Sequence, residues 1–173
     1  METHIHQFEP VYNQNSRILI LGTFPSVKSR ETHFYYGHPQ NRFWKVLAAI
    51  MKSPIPSSIE EKKTFLLGHS IAVWDVIQSC DIHGSSDTSI RNVIPNDITR
   101  ITLSAPITHI YANGQKAYDL FLRYCSNPSS LPITKLPSTS PANASYSLER
   151  LTKEWYCIQK DVPEAFHASG TSQ

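Results

Sequence analysis

An amide, a cation and a row of aromatic rings share one short stretch of this chain, Tyr35-Tyr36-Gly37-His38-Pro39-Gln40-Asn41-Arg42-Phe43-Trp44. Rings in a loop offer a flat surface for stacking, the Asn41 side chain can position a water, and Arg42 can meet an anion. A second segment, Leu136-Pro137-Ser138-Thr139-Ser140-Pro141-Ala142-Asn143, holds hydroxyls between prolines, which suits hydrogen bonding to phosphate oxygens. Asp75 adds a carboxylate after Val73-Trp74, and Gly22-Thr23-Phe24-Pro25-Ser26 ends an apolar run abruptly. Each feature also has a structural explanation. Asn41 suits a helix N-cap, Asp75 a turn, His38 a purely structural role, Phe43 and Trp44 the core, and the Ser/Pro stretch a solvated connection.

The elements that must position these groups follow from hydrophobic pattern. Arg17–Gly22, Ser70–Trp74, Ile107–Ala112 and Leu131–Leu136 read as strands, short and continuously apolar as parallel-sheet interiors are. Asn41–Lys52 carries Phe43, Trp44, Leu47, Ala48 and Met51 on one helical face. Ser57 to Glu61 supplies a capping-box start for a helix reaching about Leu67. Further helices are predicted from Asn96-Asp97-Ile98, over Gly114–Tyr124, and from Ser147 with Leu148, Leu151, Trp155 and Ile158 on one stripe. Strands alternating with helices give an α/β fold, a central four-stranded parallel sheet with helices on both faces. The loops starting at Gly22, Asp75, Asn113 and Pro137 then emerge on one edge, where open α/β sheets bind ligands.

With 173 residues, 40% hydrophobic and 17% charged, the chain suits a single globular domain over residues 1–166 with a fraying tail at 167–173. A net charge of +2 confines any nucleic-acid footprint to a local patch. No apolar run is long enough to cross a bilayer, and Met1 to His6 lacks the pattern of a signal peptide, so a cytoplasmic protein is expected. The three cysteines, Cys80, Cys125 and Cys157, form no CxxC pair, and none of the eight histidines has helical metal-site spacing. No metal or cofactor is implied.

Taken in order, the Gly22-Thr23-Phe24-Pro25, Tyr36 to Trp44 and Leu136 to Asn143 segments resemble the uracil-DNA glycosylase superfamily, most of all its hypoxanthine-DNA (deoxyinosine) branch. The resemblance spans roughly Arg17 to Leu151 and implies a three-layer sandwich. Uracil- and mismatch-specific relatives place Asp or Asn before the proline of the first motif, where this chain has Phe24. They begin the last motif with His or Asn, where it has Leu136. The hypoxanthine branch works without those helpers, relying on the residue that matches Asn41. The resemblance further implies base contacts from Phe24, Tyr36, Asp75 and His38, with Tyr36 the ring that stacks under a flipped base. DNA contacts would come from Ser26, Arg42, Ser138, Thr139, Ser140 and Asn143. Ser140 and Pro141 stand where relatives carry a duplex-entering wedge, and no bulky leucine is present.

The implied activity is hydrolysis of the N-glycosidic bond of a deaminated base rotated out of DNA, leaving an abasic site, by a monomer without cofactor. An amide has no useful pKa, so Asn41 would orient water through its side-chain oxygen and stabilise the cationic sugar rather than act as a base. Asp75 would accept from the N1–H of hypoxanthine, a hydrogen that adenine lacks, and His38 is a candidate donor to the leaving base. A uracil or mismatch glycosylase, an inactive lesion-binding module and a small-molecule-binding α/β protein are the alternatives.

Overall fold

The computed structural model describes residues 2–84 and 86–163 of the chain. Four parallel strands form its centre: β2 (Ile18–Gly22), β3 (Ile71–Asp75), β6 (His109–Asn113) and β7 (Ile133–Leu136), in the order β3-β2-β6-β7. Every residue of β2 and β3 is buried, which is why both read as unbroken apolar runs. The predicted strands are all found, with bounds shifted by one or two residues.

Helices flank this sheet. α1 is Val27–Thr32, α2 Phe43–Met51, α3 Ile59–Gly68, α4 Thr99–Thr102, α5 Gln115–Tyr124 and α6 Leu148–Trp155. From β2 the chain steps through α1 to α3 towards β3, and from β6 through α5 towards β7, in opposite directions along the sheet. Right-handed crossovers therefore put α3 and α5 on opposite faces. On α2, Phe43, Trp44, Val46, Leu47, Ala48 and Ile50 are buried. α3 begins as its sequence predicts: the Ser58 hydroxyl accepts from the Glu61 N–H at 3.0 Å, and Glu61 accepts from the Ser57 N–H at 2.9 Å.

Several features differ from expectation. A second, antiparallel sheet of order β1-β4-β5 joins β1 (Glu2–Ile5), β4 (Ile77–Ile82) and β5 (Arg91–Pro95). Only Val76 separates β3 from β4, so one apolar stretch serves two sheets. The helix predicted from Asn96 starts later, at Thr99. Asn96 is buried, and its amide donates to the carbonyls of Asp75 and Ile77 at 2.8 and 3.2 Å, bracing the bend between those strands. On α6, Leu151 and Trp155 are buried, and Ile158 lies in the following 3-10 turn (Tyr156–Asp161). Leu148, in the first turn, is instead exposed beside Ala49. Among the described residues no helix is long and apolar enough to cross a membrane. The predicted tail, 167–173, lies outside the described residues, as do residues 164–166.

Candidate functional site

The chain leaves β2 towards one side of the sheet and the adjacent β6 towards the other, so the connections reverse between these two strands. Crevices in open α/β sheets form beyond the carboxyl ends of strands at such a switch point. Gly22 is in register with Asp75 on β3, Leu21 with Ala112 on β6, and Asn113 with Leu136 on β7, so four strand ends stand level. Beyond them lies a cleft of about 380 Å³, lined among others by Phe24, Tyr36, Asn41, Asp75, Asn113 and Thr139. Its size suits a small ligand or an extruded nucleoside.

Asn41 is held by a directed chain of hydrogen bonds. The Thr139 N–H donates to Asn113 Oδ1 at 3.0 Å, which fixes that amide, and Asn113 Nδ2 donates to Thr139 Oγ1 at 3.0 Å. The Thr139 hydroxyl then donates to Asn41 Oδ1 at 2.8 Å, and the Phe43 N–H reaches the same oxygen at 3.0 Å. Asn41, one residue before the N-cap Arg42, thus accepts from the first N–H of α2 and lines the cleft at once. Its oxygen is filled by two donors, so Nδ2 is the end left for a ligand or water. The oxygen expected from sequence to hold water is already engaged.

Asp75 is buried at the floor. Its Oδ2 pairs with His6 Nε2 at 2.8 Å, with the two side chains only 4% and 3% exposed. A carboxylate only accepts, so His6 carries its hydrogen on Nε2. The His6 ring is enclosed by Phe8, Phe24 and Tyr35, with centroids 4.7, 6.1 and 5.8 Å away. Sequence gave no cue to His6, because it reaches Asp75 only through the pairing of β1 with β4.

Tyr36 has a φ of 53°, left-handed backbone that a tyrosine seldom adopts. The next residue is tied down by the Gly37 N–H, which donates to Ser29 Oγ at 2.9 Å. One face of the Tyr36 ring stacks on Phe43 at 3.9 Å between centroids. Its hydroxyl is buried and has no hydrogen-bond partner among the described residues. Burial first, and then the Asp75 charge, raise its pKa far above the ordinary phenol range, and the Asn113 amide beside the oxygen offsets a smaller part of that rise. Gly22 lies between Tyr36 and Asp75. A Cβ there would meet the Tyr36 hydroxyl at 2.8 Å and crowd Asp75 Oδ1 more closely still.

The remaining expected residues divide. Phe24, Ser26, Ser138, Thr139 and Ser140 line the cleft. Ser26 also caps α1 by accepting from the Ser29 N–H at 3.2 Å. His38 is not among the lining residues; its Nδ1 accepts from the Gln40 N–H at 3.0 Å within the turn before α2. The Arg42 guanidinium donates to the carbonyls of Ser140 and Asn143 at 2.9 and 3.0 Å and to that of Tyr146, so it ties down the Ser/Pro loop from within. Asn143 donates to the Ser138 carbonyl at 2.9 Å and borders a neighbouring groove with Lys116 and Lys135. Trp155 Nε1 secures the start of that loop through the Pro137 carbonyl at 2.8 Å.

An open α/β sheet carries at its switch point a polar cleft floored by a carboxylate and edged by a braced amide, of a size for a small polar ligand. A sequence profile of the uracil DNA glycosylase superfamily matches residues 9–160. A hypoxanthine DNA glycosylase of Methanosarcina acetivorans is 34% identical over 155 residues, covering 87% of this chain and 95% of that protein. One from Methanosarcina barkeri is 34% identical over 120 residues, 67% of this chain and 76% of its own. A solution NMR structure of a Methanosarcina acetivorans protein described as a candidate uracil DNA glycosylase superposes with a TM-score of 0.75 at 32% identity, covering 88% of this chain and 94% of that one. The chain belongs to the uracil DNA glycosylase superfamily.

Proposed function

We propose that this protein is a monofunctional DNA glycosylase that hydrolyses the N-glycosidic bond of deoxyinosine, releasing hypoxanthine and leaving an abasic site. The observation that carries the reading is the Asn41 amide, braced by Thr139 and Phe43, on a cleft floored by Asp75. The names of the Methanosarcina relatives support hypoxanthine as the base.

A base within a duplex is out of reach, so the nucleotide is rotated into the cleft at a cost of a few kcal/mol, least where pairing is already weak. Asp75 accepts from the N1–H of hypoxanthine, and adenine, which has a bare N1, leaves that acceptor unpaired. As the C1′–N9 bond opens, its electron pair leaves with the base and the sugar becomes an oxocarbenium. Such a cation needs water placed more than deprotonated. Asn41 Nδ2 donates to one lone pair of the water, the other attacks C1′, and the product sheds its extra proton to solvent. Ser138, Ser140 and the groove past Asn143, Lys116 and Lys135 carry the flanking phosphates. The enzyme acts as a cytoplasmic monomer, with the strand lying across the loop edge.

The test uses matched duplexes bearing inosine, uracil, xanthine or adenine, scored for abasic sites by alkaline cleavage. Release from the inosine duplex, lost in Asn41→Ala with DNA binding intact, supports the proposal. Binding without release from any duplex would sink it.

A further inference from the structure

Three observations converge on the two polar groups packed over Gly22. The Tyr36 hydroxyl is buried and its hydrogen meets no acceptor among the described residues, the Asn113 amide beside it acting as a donor, and the residue lines the cleft. Its raised pKa keeps it protonated, so it is a permanent donor with no acceptor among the described residues, a state proteins avoid. Asp75 spends Oδ2 on His6, which leaves Oδ1 as an acceptor. Both polar atoms close over Gly22, where a Cβ would stand 2.8 Å from the Tyr36 hydroxyl, so only a glycine lets them approach there. A donor beside an acceptor, on two residues that line the cleft, is the complement of a ligand edge with an acceptor beside a donor.

We propose that the Tyr36 hydroxyl and Asp75 Oδ1 read two neighbouring atoms of a 6-oxopurine, the hydroxyl donating to O6 and the carboxylate accepting from N1–H, with His6 the positioning residue that holds the carboxylate. The proposal rests on the cleft being a base pocket and adds which atoms are read. Adenine presents the reverse pattern, an amino group and a bare N1, and sets its N1 lone pair against the carboxylate. Guanine shares both atoms and is set apart by the higher cost of extruding it from its pair with cytosine. The same hydroxyl assists the chemistry. When the C1′–N9 bond breaks, part of the electron pair spreads to O6, and a donor already in place strengthens its bond without transferring its proton. Tyr36 is therefore an edge reader, with one face of its ring resting on Phe43.

The test pairs a substrate change with a protein change. Deoxyinosine and 6-thiodeoxyinosine differ only in the acceptor at position 6, and sulfur accepts poorly. Single-turnover release is measured on both, for the wild-type protein and for Tyr36→Phe. The variant should lose at least tenfold on deoxyinosine, and the ratio of oxygen to sulfur rates should fall at least fivefold from its wild-type value. The intrinsic difference between the two leaving groups cancels in that comparison. An unchanged ratio overturns the pair, even if the variant is slow. His6 supplies an arm independent of Tyr36. His6→Gln, which keeps an N–H donor, should retain the wild-type preference for deoxyinosine over its N1-methyl derivative, and His6→Phe should lose most of it. Equal preference in both variants removes His6 from its role. A wild-type protein that releases no hypoxanthine removes the base-pocket reading itself. One that is active through Asn41 but shows no change of ratio removes only the pair.

Discussion

The Thr139 hydroxyl donates to Asn41 Oδ1, and Thr139 is itself locked to Asn113 by two further hydrogen bonds. Thr139 and Asn113 are both buried, so water cannot readily replace the bonds between them. The orientation of the Asn41 amide is therefore set from β6 and the loop after β7, not by its own helix alone.

Replacing Thr139 with Val keeps the shape and deletes the link. It leaves Asn41 with one donor instead of two and Asn113 Nδ2 without its acceptor, at a cost of about 1–3 kcal/mol in stability. Single-turnover release from deoxyinosine should fall by one to two orders of magnitude while affinity for the duplex holds. Thr139→Ser should restore most of both. Thermal melts and rapid-quench kinetics on the two variants check this, and a fully active Thr139→Val would show that Asn41 needs no bracing.

Asp75→Asn tests the direction of base reading. The His6 Nε2 hydrogen selects the amide oxygen of the new side chain, so the amide nitrogen turns to the base as a donor. Release from deoxyinosine should drop at least tenfold, and the rate on deoxyadenosine relative to deoxyinosine should rise, because adenine N1 now meets a donor. Competition between the two duplexes measures the ratio directly. A parallel fall on both bases would leave Asp75 a scaffold for the β3–β4 bend.

Gly22→Ala places a methyl between Tyr36 and Asp75, neither of which can easily retreat: one stacks on Phe43, the other is tied to His6. Overpacking of this kind costs roughly 1–3 kcal/mol. We expect a lower melting temperature and loss of base release greater than the stability change explains. A variant with normal stability and full activity would mean that the close approach of Tyr36 and Asp75 over Gly22 is not needed.

Arg42→Ala separates a framework role from a phosphate contact. Its guanidinium is spent on three backbone carbonyls, so the loop from Ser140 to Tyr146 should loosen, and base release should fall with little change in how DNA affinity depends on salt. Arg42→Lys should not rescue it, since an ammonium cannot reproduce the planar fork. Titrations at several salt concentrations decide the matter: a phosphate contact would lower the slope of log affinity against log salt by about one.

The sequence by itself determined the four parallel strands, the capped helices and the set of polar residues at the loop edge. These are written in short-range terms: the unbroken apolar run Ile18 to Leu21, the Ser57 to Glu61 cap, and hydroxyls fenced by prolines at 137 and 141. Only the tertiary structure decided what those residues do for one another. His6 and Asp75 are 69 positions apart, and Arg42 and Ser140 are 98 apart. No periodicity encodes such meetings, because they depend on strand order and on a second sheet whose strands alternate too weakly to announce themselves. The free valences of the site follow the same rule. Which end of Asn41 faces the cleft, and which hydroxyl is left without a partner, emerge once the other donors and acceptors have found theirs. That accounting closes only in three dimensions.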